Sequence, residues 1–186
     1  EVHKLAERLA RGEEIDVPEL LAGHVQSYLR FLEEWDPQRA LLEFVCINRR
    51  WRDMGKGDMI AYFEALPEWI AEMIGKDDGW GLLDIKTSRS GIFAETALQT
   101  AAYRNAETMI VGVEDGVAVE EPMPPIDFTG AIWCRHDGYS LYAFRNHPHT
   151  FRTFLYAAQV GEFMDWKDGP AASIRSAELP APSVVS

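Results

Sequence analysis

A chain of 186 residues is long enough for one domain with a substantial core and short for two. Although 47% of it is apolar, no uninterrupted apolar run approaches the roughly 18 residues needed to cross a bilayer, so a soluble protein without a membrane partner is expected. The formal charge of −12 excludes a surface that coats nucleic acid generally, because phosphate binding rests on Lys and Arg.

The chain opens on EVHKLAERLA, where Leu5 and Leu9 stand four apart as on an amphipathic helix from Val2 to about Ala10, ended by Gly12. This start lacks the basic, apolar and small-residue zones of a signal peptide, and without an initiator Met the chain is expected to be a domain excised from a longer one, its N-terminus truncated. Pro18 begins a second helix to about Trp35, with Leu20, Leu21, Val25, Tyr28, Leu29 and Leu32 on one broad face. Residues 40–49 and 57–64 read as two strands of a hairpin joined through a Gly-containing turn. Between them Arg49, Arg50, Arg52 and Lys56 crowd together with only Asp53 for company, a local basic strip on an acidic protein.

A short helical pattern in ALPEWIAEMIG and an Asp-Asp-Gly turn lead to GLLDIKT, a largely buried third strand. Residues 93–105 form a helix in which Ala97, Ala101 and Ala102 allow close packing, and residues 108–113 a strand. The acidic, Pro-rich EEPMPPID reads as a connection, GAIWCRH and YSLYAF as a hairpin about a His-Asp-Gly turn, and residues 149–163 as the last helix. From residue 167 to 186 Ala, Ser and Pro predominate, so a disordered tail or linker is expected after a domain of residues 1–166. This order predicts an α/β fold, a central mixed sheet flanked by helices. Cys46 and Cys134 lie in apolar, strand-like surroundings that suit a reducing cytoplasm, and two cysteines alone cannot hold a four-cysteine iron–sulfur cluster or a zinc site.

Asp84 and Lys86 are two apart on the third strand and share a face of the sheet. Buried charges are tolerated when paired, metal-bound or open to a cleft, but a D-x-K tripeptide alone also describes a strand end emerging into solvent. Asp58 follows Gly57 at the expected start of a strand, and Gln99 and Tyr103 stand one turn apart on a helix. Each of these is commonplace by itself.

In series, His3, Gly57-Asp58, Asp84-Ile85-Lys86 and Gln99 through Tyr103 resemble the RecB-like branch of the PD-(D/E)XK nucleases, which includes phage recombination exonucleases and CRISPR-associated exonucleases. The resemblance spans residues 2 to about 105, and LLDIKTSRSGIFAETALQTAAYR looks especially like the phage members. It implies a restriction-endonuclease-like α/β/α core and a Mg²⁺-dependent deoxyribonuclease, with Mn²⁺ as an alternative metal. Asp58, Asp84 and Lys86 would be catalytic, and His3, Asp58, Asp84 and the Ile85 carbonyl would hold the metal. The family's Gly before the motif His would fall before residue 1, and Asp84 stands where Glu is commoner.

Mg²⁺ takes oxygen ligands and keeps several waters, so one or two carboxylates suffice; Lys86 beside them would steady developing negative charge. Glu43 would be a further ligand or orienting base, or merely the partner of a cation. Gln99 and Tyr103 would orient Lys86 and touch the nucleic-acid backbone. Arg49, Arg50, Arg52, Lys56 and Arg89 are candidates for phosphate contacts against a background of ordinary solvated charges, and Trp51 for base stacking. His136, His147 and His149 invite a metal reading, but His147 and His149 flank Pro148 just before the last helix, where capping or surface placement is expected over ligation. The expected activity is exonucleolytic cleavage of DNA in recombination, repair or phage replication, in the cytoplasm of a bacterium or an infected host, with a helicase or a single-strand annealing protein as a further partner. A structure-specific endonuclease and a non-catalytic scaffolding module are the competing readings.

Overall fold

Residues 2–168 are described by a computed structural model, and their helices and strands follow the hydrophobic periods in order, with one exception. Helix α1 (Val2–Ala10) leads to α2 (Glu19–Trp35), which starts after Pro18 (φ −54°) and stops at Asp36, a left-handed residue (φ 42°) whose N–H donates to the Leu32 carbonyl. It buries Val25, Ser27, Tyr28 and Phe31. Leu20, expected on that face, is instead 87% exposed, in the first turn of the helix.

Strands β1 (Gln38–Asn48) and β2 (Asp53–Phe63) form an antiparallel hairpin whose turn is Arg49–Arg52, not a glycine turn; Arg52 supplies the positive φ of 55°. Gly55 and Gly57 therefore lie inside β2, and Asp58 is in mid-strand and not at a strand start. Helix α3 (Glu68–Ile74), β3 (Gly79–Lys86) and α4 (Ala94–Arg104) follow as expected. Next come β4 (Thr108–Glu114) and the exception, β5 (Val117–Pro122), inside the stretch expected to be a connection. Asp115 and Gly116, with φ of 50° and 80°, make the two-residue turn between them, a pair suited to φ > 0 at both positions. Strands β6 (Phe128–Arg135) and β7 (Gly138–Phe144) pair as the final hairpin, and α5 (Pro148–Asp168) closes the described chain. The expected tail beyond Asp168 lies outside the described residues.

The seven strands form one mixed sheet in the order β5-β4-β1-β2-β3-β6-β7, antiparallel except for the β3–β6 pair. Its two faces bury separate cores. Met59, Ala61, Phe63, Leu83 and Ile85 point to the side of Tyr28, Phe31 and Ile70, where α2 and α3 lie. Ile60 and Leu82 point the other way, with Phe44 and Cys46, to Ala102 and Tyr103 of α4 and Phe154 of α5. The strand period of two continues along β3, so Asp84 and Lys86 fall on the α4 side. Among the described residues no helix is long and apolar enough to cross a membrane.

Candidate active site

Two carboxylates meet where β2 and β3 part. The pairing runs from Phe63↔Gly79 to Met59↔Leu83, and one residue further along the same register Asp58 faces Asp84. There the Asp58 side chain takes over from the backbone, its Oδ2 accepting the Ile85 N–H at 2.7 Å. A charge-assisted bond of this kind anchors the carboxylate to the backbone of β3. Asp84 is 5% exposed and pairs through Oδ2 with the Lys86 ammonium at 2.9 Å. Lys86, with 32% of its side chain exposed, spans the buried carboxylate and the solvent.

Helix α4 completes the cluster from above the sheet. Lys86 Nζ lies 3.5 Å from Gln99 Oε1, and Gln99 Nε2 donates to the Tyr103 hydroxyl at 2.7 Å. One amide thus orients the ammonium with its oxygen and the phenol with its nitrogen. Burial pushes the Tyr103 hydroxyl above its ordinary range; the Gln99 bond opposes this, and the nearby Cys46, Asp84 and Asp58 reinforce it. The phenol therefore keeps its proton and accepts from Gln99, with its O–H left to donate.

Gly55, which lies in the stretch expected to be a Gly-containing turn, makes room for this arrangement. A Cβ there would stand 2.2 Å from Tyr103 Cε1, so the phenol ring occupies the space a side chain would need. The requirement follows from how α4 docks over β2, and a bare Gly carries no sign of it.

The other candidates are distributed as follows. The side chain of His3 lies outside the described residues. Glu43 is bracketed opposite Asp58 by the pairs Leu42↔Met59 and Phe44↔Gly57, but its carboxylate is joined to Lys56. It is a left-handed residue (φ 55°) in β1. Arg49 is held by Glu120 at 2.7 Å and Thr108 at 3.0 Å, and Arg50 lies 5.3 Å over the Trp51 ring. Thus two cations of the basic strip are matched by carboxylates, while Arg52 lines a groove of about 350 Å³ between the β1–β2 turn and α5 with Trp51, Asp53, Phe154, Ala158 and Glu162. That turn is five residues along β2 from Asp58, about 17 Å of strand. Arg89 stands on the loop after β3. His147 and His149 stack with ring centres 5.3 Å apart and the His149 N–H donates to His147 Nδ1, a local arrangement at the start of α5.

Among the described residues no group of three or more His, Cys, Asp or Glu converges as a metal-binding set. What converges is two carboxylates beside one backbone segment and a cation, an all-oxygen set that suits a hydrated Mg²⁺ and does not suit a closed zinc site. No protein-family model matches the chain, and comparison with curated proteins likewise finds no match.

Proposed function

We propose that the protein is a divalent-metal-dependent deoxyribonuclease that hydrolyses phosphodiester bonds as an exonuclease of the RecB-like PD-(D/E)XK type, serving recombination, repair or phage replication. The observation that carries the proposal is the single hydrogen-bonded cluster formed by Asp58, Asp84, Lys86, Gln99 and Tyr103 from three separate elements. A second support is topological. The antiparallel β1–β2–β3 meander, the crossover through α4 and the parallel return at β6, with helices on both faces of a mixed sheet, support reading the chain as a restriction-endonuclease-like core to whose far edge the β4–β5 hairpin is added.

Asp58, Asp84 and the Ile85 carbonyl would hold Mg²⁺ or Mn²⁺, which supplies charge neutralisation on the phosphate and a lowered pKa for a bound water. His3 is the proposed additional ligand. Lys86 contributes a positive charge at the same place, fixed between Asp84 and Gln99, and its ammonium stabilises the negative charge that builds on the phosphate oxygens during attack. Gln99 holds that ammonium in line, and Tyr103 fixes Gln99 while presenting its own O–H to the substrate backbone. Burial of Asp84 keeps bulk water from screening these charges. A helicase or a single-strand annealing protein would deliver the DNA end.

Incubation with linear and closed-circular DNA in Mg²⁺ or Mn²⁺ tests the proposal. Linear DNA should be degraded and EDTA should stop the reaction. Lys86→Ala and Asp84→Asn should abolish cleavage with unchanged circular dichroism. Cleavage by Lys86→Ala at the parental rate would refute the mechanism, and cutting of closed circles would turn the assignment to an endonuclease.

A further inference from the structure

The C-terminal ends of the two parallel strands, β3 and β6, open on a pocket of about 550 Å³ at that end of the sheet. Leu20 and His24 from α2, Arg89 from the loop after Lys86, and Trp133, Arg135 and His136 from the end of β6 line it. Thr87, the residue after Lys86, also lines it, so the pocket begins about one strand residue, roughly 3.3 Å, beyond the position that carries the ammonium. Crevices outside the carboxyl ends of parallel strands are where open α/β sheets bind ligands.

Four features give the pocket a chemical character. Its charge runs against that of the chain: two guanidinium groups and two imidazoles face a single carboxylate, Asp137, in a protein with 30 acids and 18 Lys and Arg. Arg135 lies 4.4 Å over the Trp133 ring and donates to Ser140 Oγ, so it is held in place, whereas among the described residues Arg89 has no ion-pair partner. His24 lines the pocket as a half-buried imidazole whose Nδ1 is buried without a hydrogen-bond partner. Leu20 is a large apolar side chain at the mouth, 87% exposed. An indole and an exposed leucine suit a heteroaromatic base, and a guanidinium without an ion-pair partner among the described residues suits its phosphate.

Trp133 also holds the loop that follows the site. Its indole N–H donates to the Ser88 carbonyl at 2.8 Å, and Gly91, in a left-handed conformation (φ 92°), lies against the far edge of the ring. One side chain therefore fixes both the pocket wall and the segment bearing Arg89.

We infer that this pocket is a nucleotide subsite, taking the base and phosphate of the DNA strand next to the scissile bond as the strand crosses the end of β3. The inference rests on the nuclease assignment for the identity of the strand. Binding without cleavage separates the two: a short fluorescein-labelled single strand of DNA is titrated in EDTA and followed by anisotropy, and cleavage is measured separately in Mg²⁺ or Mn²⁺. Leu20→Glu and Arg89→Ala alter exposed side chains and keep the fold; each should weaken binding by roughly tenfold, in the range of a lost base or phosphate contact. Val117→Glu, which adds the same charge on β5 at the opposite edge of the sheet, should leave binding unchanged. Equal binding by the wild type, Leu20→Glu and Arg89→Ala overturns the subsite and leaves the nuclease assignment standing. Loss of binding in Val117→Glu as large as in Leu20→Glu also overturns it, since bulk charge then accounts for the effect. If the two pocket variants weaken binding and no DNA is cut under any metal, the subsite holds and the nuclease assignment falls. Failure of the wild type to bind at all overturns the subsite.

Discussion

Gly55→Ala is the smallest change that reaches the site from outside it. Gly55 has no positive φ, so an Ala in this strand carries no backbone strain, and removing a glycine would by itself stabilise the fold by about 0.4–1 kcal/mol. Its Cβ, however, would lie 2.2 Å from Tyr103 Cε1, where ordinary contact begins at 3.4 Å, so the ring must retreat by about 1.2 Å. Such a shift stretches the 2.7 Å bond between Gln99 and the phenol beyond hydrogen-bond range. Overpacking at about 1–3 kcal/mol and a lost hydrogen bond at about 1 kcal/mol outweigh the entropic gain, leaving a destabilisation of about 1–4 kcal/mol. The assay is urea unfolding, with DNA cleavage measured on the same samples. The midpoint should fall with unchanged m-value, and cleavage should fall further than the remaining folded fraction accounts for, because Lys86 loses its brace. In a Tyr103→Ala background, where the ring is gone, Gly55→Ala should be close to neutral. An equal cost in both backgrounds would refute the reasoning, since the ring could not then be what the Cβ meets.

Three further outcomes are expected. Mg²⁺ should stabilise the wild type by about 2.7 kcal/mol at a hundredfold excess over Kd, seen as a melting temperature that climbs with Mg²⁺ concentration, and should not raise that of Asp58→Asn/Asp84→Asn; an equal rise in both would remove the carboxylates from the metal site. Burial pushes the Cys46 thiol up to about 11 and the Cys134 thiol up to about 12, against an unfolded value near 8.5. The fold therefore favours the protonated thiols, and this stability is complete below about pH 8.5 and declines as pH rises through the folded values, by about 1.4 kcal/mol per pH unit for each thiol. Urea midpoints that stay level from pH 8.5 to 10.5 would contradict it. Tyr139→Phe removes the acceptor of the Trp35 indole N–H and the donor to Glu34, and should cost about 1 kcal/mol in urea unfolding with an altered Trp fluorescence; a neutral effect would show that neither bond contributes.

The features of the site that follow from local geometry were legible in the sequence. Asp84 and Lys86 share a face because strands repeat every two residues, and Gln99 and Tyr103 share one because helices repeat every 3.6. What was not legible depends on distant chain. The fate of the basic strip is an example: Arg49 and Lys56 are adjacent in sequence to other cations, but the fold brings Glu120 and Glu43 to them. The mid-strand position of Asp58 was hidden because Gly55 and Gly57 resemble turn residues, whereas they serve close approach of Tyr103 and Phe44 to β2. In β5 the acidic and proline-rich composition masked a strand that its Asp-Gly turn announced.

The placement of β3 also orders the assembly of the molecule. On one side it pairs with β2, its near neighbour in sequence, and on the other with β6, so that Gly81 lies beside Phe128 only after α4 and the whole β4–β5 hairpin have been passed. Closing the longer loop costs more chain entropy, and pairings between distant segments form late. Pulse-labelled hydrogen exchange during refolding should accordingly protect Met59 and Leu83 before Ile132. In the interval Asp58 and Asp84 already face each other while the far edge of β3, with Leu82, Leu83 and Ile85 along it, is an open strand edge able to accept a foreign one. The late-arriving β6 is then also the guard against misassembly, and weakening it should show first as aggregation during refolding and only later as lost activity.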